Sequence, residues 1–208
     1  MKIALLTYDK PHKKTYDVAC MLKVCGYNDV TLVSTEWQDR KRLHPLVRHR
    51  PEGFAPEPKT LAKRLGYKYN KGNSFDVYLV GGCNVLKGLT AINSHPGYLP
   101  YARGLDALKW SIYEGLPIGV TTHYTTDEPD NGPIIKRELV PVFFEDTIHS
   151  LAYRVYELEI KLLVDSIGCD TIEIDDEYTG GVHRRMPPYK EVVMMERFKK
   201  LHKISIYD

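Results

Sequence analysis

No apolar run in this chain approaches the roughly 20 residues that a membrane-crossing helix needs. No charged-then-apolar leader opens it either, because Lys2-Ile3-Ala4-Leu5-Leu6-Thr7 reads directly as a strand. Cysteine is sparse: Cys20, Cys25, Cys83 and Cys169 show no CxxC spacing and sit among apolar or turn-forming residues. Buried free thiols are expected there rather than disulfides or zinc ligands. Net charge is also small, +2 from 29 Lys and Arg against 27 Asp and Glu, which gives no global reason to expect nucleic acid or an anionic membrane as partner. Tight metal motifs such as HExxH are missing, so no metal is expected. Nor is there an internal repeat. Cytoplasmic is the default expectation.

What is present fits one domain. Hydrophobic residues make up 43% of the 208 and charged residues 27%, enough for a sizeable core. Lys2–Thr7 and Val30–Ser34 read as strands, with a helix over Thr15–Cys25 stopped by Gly26. From Trp37 to Pro58 the pattern breaks into a long loop that crowds Arg40, Lys41, Arg42, His44, Arg48, His49 and Arg50 together. Lys59–Leu65 reads as a short helix closed by Gly66. Asp76–Val80, Leu89–Asn93 and Ile118–Tyr124 are buried strands, with a helix over Arg103–Glu114 between the last two. Ile135–Val142 suits an antiparallel edge. Ile148–Ile167 is amphipathic, with Leu151, Val155, Leu158, Leu162 and Leu163 on its core face, and Tyr189–Lys203 has a helical look. Strands alternating with helices predict an α/β fold: a mostly parallel sheet, helices on both faces and an antiparallel edge. In such sheets ligands gather beyond the carboxyl ends of the strands.

Two segments carry chemistry: Asn93-Ser94-His95-Pro96-Gly97, and His123-Tyr124 through Asp130-Asn131-Gly132-Pro133. Asn93 and His95 are two apart, so in extended backbone they leave one face, and Pro96-Gly97 stops the strand there. Both segments are expected at carboxyl strand ends. An Asn amide is a fixed donor to a carbonyl oxygen that gains charge. A neutral His can take a proton from an attacking amine, and a nearby carboxylate stabilises the charged ring. Asp130 fits that third role. Each residue also has a plain structural reading: a turn-forming Asn, a turn Asp before Asn-Gly, and a core histidine at position 123. His95, His123 and Asp130 could otherwise hold a metal.

Taken together, Ile92-Asn93-Ser94-His95-Pro96-Gly97-Tyr98-Leu99-Pro100, Arg103-Gly104, Trp110, Gly115, and Gly119-Val120-Thr121-Thr122-His123-Tyr124 through Asp130-Asn131-Gly132-Pro133-Ile134-Ile135 resemble the N10-formyltetrahydrofolate-dependent formyltransferase family. The resemblance runs from Asp76 to Val142. It implies a Rossmann-like formyltransferase domain, here residues 1–170, with 171–208 as a short extension that is not an independent domain. It implies Asn93, His95 and Asp130 as the catalytic trio and His123 as a supporting residue. The formyl donor would be N10-formyltetrahydrofolate, its head held by Asn84, Val85 and Leu86 and by Thr125, Thr126 and Asp127. Lys10, Arg48, Arg50 and Arg103 are the candidates for binding the substrate. Family members often form homodimers.

Where the glycinamide ribonucleotide enzymes carry a Gly-rich phosphate loop, this chain has Tyr8-Asp9-Lys10-Pro11-His12-Lys13-Lys14-Thr15. Too little chain follows Ile167 for the C-terminal domain of the methionyl-tRNA enzymes, and the deformylase's N-terminal regulatory domain is missing. The nearest branch is therefore the sugar N-formyltransferases, with an amino sugar linked to a nucleotide as acceptor. A glycinamide ribonucleotide formyltransferase-like enzyme or a formyltetrahydrofolate hydrolase are the alternatives, and outside catalysis, a folate- or nucleotide-binding protein.

Overall fold

Residues Ile3 to Thr7 send side chains alternately to opposite faces of a sheet, yet all of them are buried. A strand of that kind has to be covered on both sides. The computed structural model, which describes residues 1–37, 45–47, 53–72, 74–83, 88–174 and 181–204, supplies that cover. In chain order the elements are β1 (Ile3–Tyr8), α1 (Lys13–Val24), β2 (Val30–Thr35), α2 (Pro58–Leu65), β3 (Lys68–Tyr69), β4 (Val77–Val80), β5 (Ile92–His95), α3 (Ala107–Glu114), β6 (Gly119–Tyr124), β7 (Ile134–Leu139), α4 (Ile148–Asp165) and α5 (Pro188–Ile204). The seven strands form one sheet in the order β3-β2-β1-β4-β5-β6-β7. β1 to β5 run parallel; β6 is antiparallel to β5, and β7 antiparallel to β6. No helix among the described residues is long and apolar enough to cross a membrane.

The core has two parts. Ile3, Leu5, Leu22, Leu32, Leu61 and Leu79 meet Ile160 and Leu163 of α4 in one. The other gathers Leu108, Trp110 and Ile112 of α3, Val120, Leu151 and Val155 of α4, and Met194 and Phe198 of α5. α4 thus contributes to both, as the wide apolar stripe of its sequence requires. Lys14 of α1 reaches Glu159 of α4 at 2.5 Å, and Tyr156 donates to Asp17 at 2.5 Å.

The cysteines depart from expectation. They are free thiols, but Cys25 is exposed and the other three are half-buried. Cys25 ends α1, where the helix meets solvent at Gly26. Burial raises the Cys20 thiol, and raises that of Cys83 to about 11, where Lys14 partly offsets it.

The entry to α4 offers a stability test. Thr147 caps the helix by accepting from Ser150 N at 3.1 Å, while Ser150 Oγ accepts from Thr147 N at 2.9 Å. Beside this box Asp146 receives both Arg154 terminal nitrogens at 2.8 and 2.9 Å, Phe143 N at 2.7 Å and Ser150 Oγ at 2.8 Å. The Arg154 guanidinium, against the opposing effect of burial and with help from the Phe143 amide and the Ser150 hydroxyl, holds the Asp146 carboxyl down at about 2. A depressed carboxyl stabilises fully above its unfolded value of about 3.9 and loses that contribution as pH falls. Asp146→Asn is expected to cost about 2 kcal/mol at pH 7. In urea melts the gap from wild type should close as pH drops from about 4 towards 2.

Candidate active site

Pro96-Gly97 ends β5 as its sequence requires, but the strand starts at Ile92 rather than Leu89. Ile92 pairs with Leu79, and β4 ends one residue later. β5 therefore overhangs the carboxyl end of β4. Across it β6 runs antiparallel, with Asn93 opposite His123 and His95 opposite Thr121. Both segments do lie at the carboxyl ends of their own strands, as expected, but those ends fall at opposite ends of the antiparallel pair. His123 lies near the carboxyl end of β6, which is the amino end of β5. A run of apolar residues reads the same in either direction, so the reversal was invisible in the pattern.

Alternation divides the chemistry from the packing. Ser94 and Thr122 point towards α4, where Ser94 Oγ donates to Glu159 O at 2.8 Å and Thr122 Oγ1 meets Ser166 Oγ at 2.6 Å. Asn93, His95 and His123 therefore share the opposite face. Asp130 arrives from the Thr125–Pro133 loop, which closes through Tyr124 N donating to Pro133 O at 2.9 Å. Gly132 allows that closure, since a β-carbon there would collide with the carbonyl of Tyr124. Asp130 itself has φ 48°, a left-handed conformation that aspartate tolerates.

The loop lays one carboxylate between two imidazoles. Asp130 Oδ1 is 3.4 Å from His95 Nδ1 and 3.5 Å from His123 Nε2, and its Oδ2 accepts from Gly104 N at 2.9 Å. Burial alone would raise the carboxyl. The charge of His95, the hydrogen bond and charge of His123 and the Gly104 amide outweigh it, and hold Asp130 well below the usual carboxylate range. His95 and His123 are 5% and 2% exposed, so little water screens these interactions.

Carbonyl partners fix the ring tautomers, since a carbonyl oxygen only accepts. His95 Nε2 lies 2.6 Å from Ala102 O and so carries a proton. In the neutral ring the lone pair is then on Nδ1, facing Asp130. A side chain at Gly97 would crowd both groups, with its β-carbon 2.6 Å from Ala102 O and 2.7 Å from His95 Nε2. His123 Nδ1 donates to Tyr124 O at 2.9 Å, so in the neutral ring Nε2 accepts from Asn93 Nδ2 at 3.3 Å, while in the charged ring Nε2–H faces Asp130 Oδ1 at 3.5 Å. That contact orients the Asn93 amide and uses only one of its two N–H groups.

The remaining candidates are scattered. Arg103 donates to Pro129 O from Nε at 3.3 Å and Nη2 at 2.9 Å, and lies 3.6 Å from Glu128. It therefore grips the loop carrying Asp130. Lys10 is exposed just past β1. Thr125 ties its loop to the start of β5, donating to Leu89 O at 3.2 Å and accepting from Ala91 N at 2.9 Å. Thr126 Oγ1 donates to Glu128 O at 3.0 Å, and Asp127 is exposed. Asn84, Val85, Leu86, Arg48 and Arg50 lie outside the described residues. At the start of α1, His12 caps the first turn by accepting from Thr15 N at 3.4 Å. Among the described residues no group of three or more His, Cys, Asp or Glu is placed to hold a metal ion.

Ala102 and Gly104 were not legible as site residues, because both act through their backbone and their side chains carry no signal. Thr121 was missed likewise: its hydroxyl donates to Gly97 O at 2.9 Å and accepts from Leu99 N at 3.0 Å, pinning the turn after His95.

The family model named formyl transferase matches residues 85–167, the stretch that contributes Asn93, His95, His123 and Asp130. This stretch is therefore similar to a formyl transferase domain. The chain is similar to the dTDP-4-amino-4,6-dideoxyglucose formyltransferase of Mycobacterium tuberculosis, 34% identical over 95 residues, which cover 46% of this chain and 39% of that protein. It is also similar to the mitochondrial formyltetrahydrofolate deformylase 2 of Arabidopsis thaliana, 38% identical over 87 residues, covering 40% and 26%. The matched stretch thus spans well under half the length of either relative. The fold is shared more widely. A sugar N-formyltransferase from a Shewanella species superposes with a TM-score of 0.60 at 18% identity, over 95% of this chain and 87% of that one. The formyltransferase PseJ from Anoxybacillus kamchatkensis, solved with UDP-4,6-dideoxy-4-formamido-L-AltNAc and tetrahydrofolate, does so at 0.57 and 20% identity, over 100% and 93%. The chain therefore shares the Rossmann-like fold of these structures.

Proposed function

We propose that the protein transfers a formyl group from N10-formyltetrahydrofolate to the primary amine of an amino sugar linked to a nucleotide. The observation that carries this reading is the convergence of Asn93, His95 and Asp130 from a strand and a distant loop, with His123 between Asn93 and Asp130. The sugar enzymes among its relatives and structural neighbours supply the acceptor class. His12 supports the same branch, because it occupies the first turn of α1 where a phosphate loop would leave amides open. We take residues 1–170 as the catalytic unit and 171–208 as an extension, of which Met194 and Phe198 in α5 pack into the core.

The donor supplies an activated formyl carbon, and its carbonyl oxygen suits the second N–H of Asn93. That N–H is aimed by the contact with His123 and strengthens its hold as the oxygen gains charge. The amine nitrogen attacks the formyl carbon and gives up a proton to His95 Nδ1, the lone-pair atom of the neutral ring. Asp130, 3.4 Å away, balances the resulting imidazolium. The new carbon–nitrogen bond forms, the bond to N10 breaks, and the proton held by His95 passes to N10, so that neutral N10–H leaves with tetrahydrofolate. Thr125 keeps the Asp130 loop tied to β5, and we assign the donor's head to Asn84–Leu86 and Thr125–Asp127. Lys10, Arg48 and Arg50 remain the proposed contacts to the acceptor's phosphates, and Arg103 acts at the same edge through its grip on Pro129.

The test is an assay of N10-formyltetrahydrofolate with a panel of amino-sugar nucleotides and glycinamide ribonucleotide, following formylated product by mass and formate release without amine. A formylated sugar nucleotide is expected. Fast formate release that ignores the amine would instead make the protein a hydrolase. Asn93→Ala should lower kcat by roughly 10²–10³-fold, about 3 kcal/mol, with little change in KM for the donor. Wild-type turnover in that variant would remove the amide from the mechanism.

A further inference from the structure

The Val182–Met186 segment, which precedes α5, belongs to no element of the sheet and is remote in sequence from every residue of the mechanism. It nevertheless runs alongside Arg103–Gly104. Gly104 and His183 form a parallel bridge, in which His183 N donates to Arg103 O and Leu105 N donates to His183 O, both at 2.9 Å. The N–H of Gly104 is left out of that bridge and points the other way, to Asp130 Oδ2 at 2.9 Å. Arg103 likewise turns its side chain to Pro129. Arg103–Gly104 is thus held on one side by the strap and holds the aspartate loop on the other. Gly104 fits there because its φ is +94° and because a β-carbon would run into His183 O.

Side chains pin the strap to α3. The His183 ring stacks on Trp110 with centroids 4.6 Å apart and planes 25° apart, and its Nε2 lies 3.1 Å from both carboxylate oxygens of Glu114. Trp110 Nε1 donates to Arg184 O at 2.8 Å. Asp106 accepts from Met186 N at 3.1 Å and from Arg185 at 3.3 Å. None of these groups reaches the reacting atoms.

We infer that His183 is a positioning residue, which through Arg103–Gly104 keeps the Asp130 carboxylate against His95. The inference rests on the reading of Asp130 as part of the catalytic trio. Among the described residues only Gly104 gives that carboxylate a backbone donor, so letting Gly104 drift frees Asp130 to turn from His95. Misplacement of a reacting group by about 1 Å costs on the order of 10²-fold in rate.

The test combines kinetics with two readouts that need no turnover. His183→Ala should lower kcat on the order of 10- to 100-fold with KM for the formyl donor nearly unchanged, and His183→Gln, which keeps a donor towards Glu114, should recover most of the loss. In a Trp37→Phe background, Trp110 emission should shift to the red as the strap lifts. The NMR resonances of the His95 ring should move in His183→Ala, reporting a changed Asp130 contact even if formyl transfer is never observed. Glu114→Ala, a half-exposed anchor of the ring, opens no cavity and should give an intermediate loss should the first variant fail to fold. A wild-type kcat together with unmoved His95 resonances in either variant overturns the inference. Moved resonances with no formyl transfer by the wild type would instead overturn the proposed reaction and leave the strap's role standing.

Discussion

Asp130→Asn is expected to lower kcat by roughly 10²–10⁴-fold while the protein stays folded. Asparagine has the same shape and can still accept from Gly104 N through its carbonyl oxygen, so the loop keeps its hold at Arg103 and Gly104. What it removes is the negative charge beside two buried imidazoles. The proton taken by His95 Nδ1 would then sit on a ring 5% exposed with no counter-charge, which raises the barrier to amine deprotonation. The pH dependence has a defined form. The carboxyl of Asp130 is held below the usual range, so in the native protein it is ionised throughout neutral and mildly acidic solution. The deficit of the variant is therefore expected in full at pH 8, measured as the ratio of kcat values, and any change below that reports the protonation of His95 rather than of Asp130. Wild-type kcat in the variant at pH 8 would show that the field of Asp130 is not what His95 uses.

The second large effect concerns stability. Glu191, in the first turn of α5, is buried completely, and its Oε1 meets Lys109 Nζ of α3 at 2.5 Å. Its other oxygen accepts from Leu46 N at 2.6 Å and Val47 N at 3.0 Å. One carboxylate therefore joins α3, α5 and the segment around Leu46. Glu191→Ala would strand a buried ammonium and two amides, and is expected to cost about 3–5 kcal/mol. That is a large part of the stability of an ordinary domain. Replacing the pair together, Lys109→Met with Glu191→Met, leaves no orphaned charge and should recover much of the loss in urea denaturation. If the double variant is as unstable as Glu191→Ala, the hydrogen bonds to Leu46 and Val47 outweigh the ion pair.

Reading the residues in order located most elements to within a few positions, because helices and strands of this size carry their own period. Gly66 stopped α2, and Ile148–Asp165 formed where the apolar spacing placed a helix. Direction did not follow from period, and β6 entered the sheet reversed. The helix expected from Arg103 starts at Ala107, since Arg103–Asp106 is taken by the strap and by Asp130, and Leu105 is left 43% exposed. Asn93 and His95 were legible as a pair because a two-residue spacing is a geometric statement in any strand. His123 was legible as a core histidine or a metal candidate, and its supporting rank came from the family resemblance; its partners Asn93 and Asp130 come from two different parts of the chain.

The pairing of Asn93 with His123 has one more consequence. Sliding β5 past β6 by a single residue would turn Ser94 into the cleft and bury the amide and imidazole beneath α4. Such a molecule would keep its helices and most of its apolar burial, and would be spectroscopically near-normal yet inert. In refolding, recovered turnover should therefore lag recovered ellipticity by the fraction of chains that zipped out of step.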